Sequence, residues 1–187
     1  MKRVITLLFF IFISIFSFSE ESKDINTIKT LKMIVNEKSF NNNKSNEKTY
    51  DILYRLPNVL KKTMLEPKSH KGEIFLYKDN KKIVYLPIFD QVIEENNIEE
   101  ENYIVDTITF FQKKYKDDSE FKKLYNTKNK FQVKKENLNL DILKMENIDG
   151  YKLPVEIKIY DKNILIAHLK LSNIVINKNI SESEFKI

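Results

Sequence analysis

TYDILYRLPNVLKKTMLEPKSHKGEIFLYKDNKKIVYLPIFDQV, residues 49–92, falls into four short strand-like runs separated by tight polar breaks. Pro57-Asn58, Pro67-Lys68 and Asp79-Asn80 supply the breaks, since proline fixes φ and short polar side chains favour turns. Gly72 opens the third run, and the predicted strands lie near 47–56, 59–66, 72–78 and 82–87. Tyr50, Ile52, Tyr54 and Leu56 share one face of a two-residue period. Ile74-Phe75-Leu76-Tyr77 and Ile83-Val84-Tyr85-Leu86 are instead apolar on both faces. An antiparallel meander with one solvated face alternates apolar with polar. Strands apolar on both sides require a cover on each, either protein or something the protein carries.

Working outward, Ile25, Ile28, Leu31, Ile34 and Val35 suggest an amphipathic helix over roughly 22–36, capped by Ser22 or Asp24. The tract 41–46, rich in asparagine, reads as a loop or hairpin tip. After the meander, the acidic run 94–101 reads as a solvated connection. Ile104, Ile108, Phe111 and Tyr115 then share a helical face, widened by Tyr103 and Phe110. A second short helix is predicted to start at Asp118-Ser119 and run through Leu124. Period two returns in Phe131-Val133, Leu138–Ile142, Val155–Ile159, Leu165–Leu171 and Ile174–Ile176, with turns at 147–150 and 161–163. This order gives an α+β fold: a strongly curved antiparallel sheet with helices packed to one side.

The chain has 187 residues, enough for one domain with a substantial core. Lys2 and Arg3 precede an apolar stretch from Val4 to Phe18, and Ser17-Phe18-Ser19 supplies small residues for cleavage. Residues 1–19 therefore read as a cleavable signal peptide, with cleavage near Ser19-Glu20 and 20–187 as the exported domain. The apolar stretch is short of the roughly 20 residues that span a bilayer. Cysteine is absent, which removes disulfides, thiolate metal sites and a cysteine nucleophile. The formal charge of +5 falls to +3 without Lys2 and Arg3, and Arg3 and Arg55 are the only arginines. Scattered lysine among glutamate and asparagine is a solubilising surface and argues against nucleic acid.

A hydrolase requires a nucleophile, a base and an orienting group. The two histidines, His70 and His168, have no carboxylate next to them in sequence, and they are too few for a zinc site. With Gly72 and Gly150 the only glycines, the G-x-S-x-G elbow and both glycine-rich phosphate motifs are ruled out. The acidic run lacks the spacing and glycine of a calcium loop. The sequence thus disfavours an enzyme and calls for no metal or cofactor.

Several strand ends carry a resemblance. Tyr54-Arg55-Leu56-Pro57-Asn58, Leu65-Glu66-Pro67 and Gly72-Glu73-Ile74-Phe75 are followed by Val84-Tyr85-Leu86-Pro87-Ile88-Phe89-Asp90-Gln91-Val92. Near the end come Gly150-Tyr151-Lys152-Leu153-Pro154, Ile157-Lys158-Ile159-Tyr160-Asp161, Asn177 and Ser183-Glu184-Phe185-Lys186-Ile187. In combination they resemble the LolA-type periplasmic lipoprotein carriers and the wider group of outer-membrane lipoprotein-sorting proteins. In those carriers an arginine directly before the strand-ending proline holds a helical lid closed. Leu56 stands there in this chain, with Arg55 one residue earlier, and a one-residue offset points a strand side chain to the other face.

The resemblance implies a half-open antiparallel β-barrel with helices over its concave face, enclosing an apolar cavity for acyl chains. Its walls would come from Tyr50, Ile52, Tyr54, Phe75, Tyr77 and Tyr85, its lid from Ile104, Ile108 and Phe111, and Arg55 is the candidate for lid closure. The alternative is that these residues form an ordinary core. The implied partners are acylated lipoproteins or lipids, an inner-membrane release complex and an outer-membrane acceptor, with the carrier a periplasmic monomer. A carrier of free phospholipid or glycolipid, or an exported sensor built on the same half-barrel, are the alternatives.

Overall fold

The computed structural model describes residues 22–41, 44–78, 81–96 and 103–187, with side chains to 95 in the third segment and from 107 in the fourth. The expected signal segment 1–19 and most of the acidic run 94–101 lie outside the described residues.

Ten strands form one sheet: β1 (Thr30–Asn41), β2 (Lys44–Arg55), β3 (Val59–Glu66), β4 (Ile74–Lys78), β5 (Lys81–Leu86), β6 (Gln91–Asn96), β7 (Phe131–Lys135), β8 (Leu138–Ile148), β9 (Tyr151–Asp161) and β10 (Ile164–Ile176). The spatial order is β6-β5-β4-β3-β2-β1-β10-β9-β8-β7, and every described pairing is antiparallel. β6 and β7 are the two ends, unpaired with each other, so the barrel is half open. The helices α1 (Tyr103–Asp117) and α2 (Ser119–Thr127) join those ends across the inner face. Asp118 sets the elbow between them: its carboxylate accepts from the Phe121 N–H at 2.8 Å and from Lys114 at 2.9 Å. The Lys114 bond, then the helix N–H, hold that carboxyl below the usual range.

Three expectations are corrected. The helix over 22–36 is a single 3-10 turn, Ile25–Thr27, followed by strand β1. Asp24 does cap that turn, accepting from the Asn26 N–H at 2.8 Å. Leu31, Met33 and Val35 alternate inward from a strand paired on both sides, and Ile34 lies on the opposite face. Ile34 is half-buried on the outer face of β1, so apolar residues on both faces of this strand fall at spacings that mimic a helical pattern. The acidic connection begins as strand β6, whose Glu94 and Glu95 form ion pairs with Lys81 and Lys82 of β5. Leu165–Leu171 and Ile174–Ile176 are one strand, β10, kinked at Asn173 with φ 52°.

The inner face holds the main core. Leu31, Met33 and Val35 of β1, Tyr50, Ile52 and Tyr54 of β2, Leu140 and Ile142 of β8, and Ile157 and Ile159 of β9 meet Phe111, Tyr115, Phe121 and Tyr125 of the helices. The outer face of the opposite wing has its own smaller core: Leu53, Val59 and Leu76, with Ile83 against them, covered by Ile180 and Phe185. The C-terminal segment is therefore the second cover that strands apolar on both faces require. It carries a 3-10 turn, Glu182–Phe185, opened by a reciprocal Ser181–Glu184 capping box. Arg55 belongs to this outer face. Its guanidinium bonds Glu182 at 2.6 Å and lies 4.8 Å from the Phe185 ring, while Lys61 donates to the carbonyls of Glu184 and Lys186. Arg55 thus straps down the C-terminal segment and points away from the helical lid, as the one-residue offset dictates.

This strap has an acid limit. The Arg55 bond holds the Glu182 carboxyl below its ordinary pKa, and the Ser181 backbone N–H does the same for Glu184. A carboxyl whose folded pKa is depressed contributes stability above its unfolded pKa of about 4.3 and loses it as pH falls through the folded value. Urea-unfolding midpoints are expected to fall from pH 5 to pH 3, and Arg55→Gln to make that fall shallower. An unchanged slope in Arg55→Gln would remove Glu182 from the account.

Candidate functional site

One cavity lies between α1 and the sheet. Thr107, Ile108, Phe111 and Gln112 line it from α1, a spacing that puts all four on one helix face. Ile25, Ile28, Leu31 and Met33 form one side, Leu153, Pro154 and Ile157 of β9 another, Leu171 and Ile174 of β10 the floor, and Tyr125 of α2 the back. Backbone irregularities bring these side chains together. Leu171 and Ile174 are three apart, and a regular strand would send them to opposite faces. The kink at Asn173, which adopts the left-handed region that asparagine tolerates, restores both to the inner side. Register shifts between β8 and β9, near Lys144 and Met145, do the same for Leu153, Pro154 and Ile157.

The lining is almost wholly apolar and includes no charged residue. Its polar groups are already engaged or small. Gln112 donates to the Ile25 carbonyl at 2.9 Å, and the Tyr125 hydroxyl donates to the Lys152 carbonyl at 2.7 Å. Burial, reinforced by Tyr115, pushes the Tyr125 hydroxyl pKa up, so it stays a neutral donor. The cavity volume is about 50 Å³, room for a few water-sized groups. An acyl chain of a dozen methylenes is larger than this space. α1 is fastened by the Gln112–Ile25 bond and by Phe111 against Phe121 and Tyr125, ring centroids 5.8 and 5.9 Å apart. No salt bridge from α1 to the sheet appears among the described residues.

Of the residues expected at a cavity, Ile108 and Phe111 line it. Tyr50, Ile52 and Tyr54 are on the inner face but closed into the core at 4, 0 and 1 % exposure, outside the lining. The Tyr50 hydroxyl donates to Glu37 at 2.6 Å, and burial, then the Glu37 charge, raise its pKa. Phe75 and Tyr77 share the inner face through pairing with Lys62 and Leu60, on the wing the cavity does not reach. Lys62 lies 4.6 Å above the Phe75 ring. Tyr85 is corrected: it pairs with Ile74, the outward neighbour of Phe75, so it faces outward and bonds Asp90 at 3.1 Å. The side chain of Ile104 lies outside the described residues.

Sequence reasoning missed Ile25, Ile28, Leu31 and Met33 as cavity walls by placing them on a helix, and missed Tyr125, Leu153, Pro154, Ile157, Leu171 and Ile174. The Ser172-Asn173 step inside an apolar run was the available signal for the kinked floor. Both histidines do have carboxylate neighbours. His70 lies 2.9 Å from Glu73, and His168 lies 2.9 Å from Glu156, across the β9–β10 pair and facing away from the cavity. Among the described residues no cluster of three or more histidine, aspartate or glutamate side chains is arranged for a metal ion. No described helix is long and apolar enough to cross a membrane.

No protein-family model and no curated protein sequence matches the chain. Solved structures do. A LolA superfamily protein from Nitrosomonas europaea superposes with a TM-score of 0.58 at 12% identity, over 86% of this chain and 91% of that one. A DUF1329 family protein from Desulfovibrio piger gives 0.57 at 12% identity, over 87% and 91%. A domain from Vibrio parahaemolyticus, classed provisionally as an outer membrane lipoprotein-sorting protein, gives 0.53 at 12% identity, over 84% and 88%. The chain has the LolA-type fold.

Proposed function

We propose that this chain is a periplasmic carrier that takes the acyl chains of lipoproteins beneath α1 and delivers them toward the outer membrane, after removal of residues 1–19. The observation that supports this most is the uncharged apolar cavity that lies beneath one helix. Burying a methylene is worth ~0.8 kcal/mol, so a chain of about a dozen gives on the order of 10 kcal/mol. Several chains fully buried would approach the ceiling of non-covalent affinity and leave very slowly. A small resting cavity under a movable helix suits a carrier that covers its cargo in part. Handover then needs an acceptor that binds the cargo more tightly, and no catalytic group.

The direct test is mass spectrometry of lipid co-purified without detergent, together with release of acylated lipoprotein from spheroplasts by the purified protein. Recovery of acylated lipoprotein supports the reading. Free phospholipid alone, or failure of release with a protein partner recovered, removes it. Ile108 is the residue to alter, because Phe111 also packs into the aromatic core. Ile108→Glu places a carboxylate against the apolar lining. Affinity for a fluorescent fatty acid is expected to fall at least tenfold while the circular dichroism spectrum is kept. Unchanged affinity would take the acyl chain out of this cavity.

A further inference from the structure

Most hairpin turns of this sheet are polar by sequence. Asn42-Asn43, Asp79-Asn80, Glu136-Asn137, Asp149-Gly150 and Lys162-Asn163 follow the usual turn preferences. Between β5 and β6 the turn is Pro87-Ile88-Phe89-Asp90. Ile88 is 73% exposed, Phe89 70%, and the adjoining Val92 and Ile93 60% and 40%. The other exposed large apolar side chains among the described residues, Ile164, Val175 and Ile187, are scattered along the chain.

The turn is built to hold this shape. Its backbone closes through Phe89 N–H to the Leu86 carbonyl at 3.1 Å, and the Tyr85 hydroxyl bonds Asp90 at 3.1 Å. Beside it runs the turn between β3 and β4: a Cβ on Gly72 would sit 3.5 Å from Pro87 Cγ. That turn exposes Lys68 and Lys71. Of the nearby carboxylates, Glu73 lies 2.9 Å from His70 Nδ1, Asp90 accepts from the Tyr85 hydroxyl, and Glu66 is exposed at the end of β3 opposite Thr49.

The geometry points to a membrane-contacting tip: Ile88 and Phe89 enter the interfacial region of an anionic bilayer while Lys68 and Lys71 meet its headgroups. A bilayer is the occupant that fits. Ile88 and Phe89 project from the turn itself, Val92 faces outward beside Tyr85, and Ile93 faces inward beside Val84. Apolar groups spread around a hairpin offer no single flat surface to a folded partner, whereas the bilayer interface accepts apolar surface in any orientation. The positive charge of the exported domain, +3 without Lys2 and Arg3, complements an anionic leaflet. This inference is separate from cargo binding.

The test is flotation of the protein, purified after expression of the full chain, with vesicles of phosphatidylethanolamine and phosphatidylglycerol against vesicles of phosphatidylcholine alone. At low salt the protein is expected to float with the anionic vesicles. Ile88→Ser with Phe89→Ser should lower that binding at least tenfold, with an unchanged melting temperature because both side chains are exposed. Lys68→Glu with Lys71→Glu should lower it and abolish the preference for anionic vesicles. Binding of a fluorescent fatty acid, which reads the cavity, is expected to be unchanged in both. A wild-type protein that stays in solution, or a serine variant that floats equally well, overturns the inference. So does dimerisation lost in the serine variant without vesicle binding, which would assign the tip to a second copy of the chain.

Discussion

Tyr125→Ala is expected to lower folding stability by about 4 kcal/mol, the upper part of the range for deleting a buried aromatic. Tyr125 is 1% exposed, and its ring meets four others, Phe111, Tyr115, Phe121 and Phe131, with centroids 5.5 to 6.2 Å away. The substitution removes this packing and strands the Lys152 carbonyl that the hydroxyl satisfies. Tyr125→Phe keeps the ring and loses only the hydrogen bond, so it should cost about 1 kcal/mol. Urea-unfolding curves of the two variants separate the contributions. Equal midpoints would mean that the cluster repacks around the gap. Since Tyr125 forms the back wall of the cavity, Tyr125→Ala is also expected to admit a fluorescent fatty acid faster than the native protein does.

Phe185→Ala is the second large effect, about 3 kcal/mol. Phe185 is 4% exposed and covers Leu53, Val59 and Leu76 with Ile180. Without it the outer face of β2–β4 becomes an uncovered apolar surface, so the variant should bind an apolar dye and self-associate. Its acyl-chain affinity should hold, because the cavity lies on the other side of the sheet. A loss of cargo binding at full folding would show that the two faces are coupled through the strands. An unchanged melting temperature would show that the C-terminal segment merely rests on the sheet.

The meander was legible because its breaks are chemical: Pro57-Asn58 and Pro67-Lys68 end strands wherever they occur, and β2 to β5 follow those breaks closely. Asp118 was legible as a cap for the same reason. The residues on both sides of the sheet declared that two covers exist, but not which protein parts supply them. The outer cover comes from Ile180 and Phe185, more than a hundred residues away in sequence. β1 misled because it carries an apolar residue, Ile34, on its outer face as well as Leu31 on its inner face, and Ile28, Leu31 and Ile34 then fall three apart by accident. The cavity was the least legible part. Its floor depends on the left-handed Asn173 and on shifts near Lys144, and simple alternation cannot place Leu171 with Ile174 across such a kink.

The strand order has one further consequence, for how the molecule is made. Every pairing in the sheet joins strands consecutive in the chain except β1 with β10, where Leu31 meets Ile176. Two meanders can therefore zip up locally and cheaply, leaving a single long-range registration whose loop-closure entropy sets the pace of folding. Leu31 and Met33 stand on one side of that seam, and Leu171 and Ile174 on the other. The cavity comes into being when the seam closes, so a half-assembled chain lacks it.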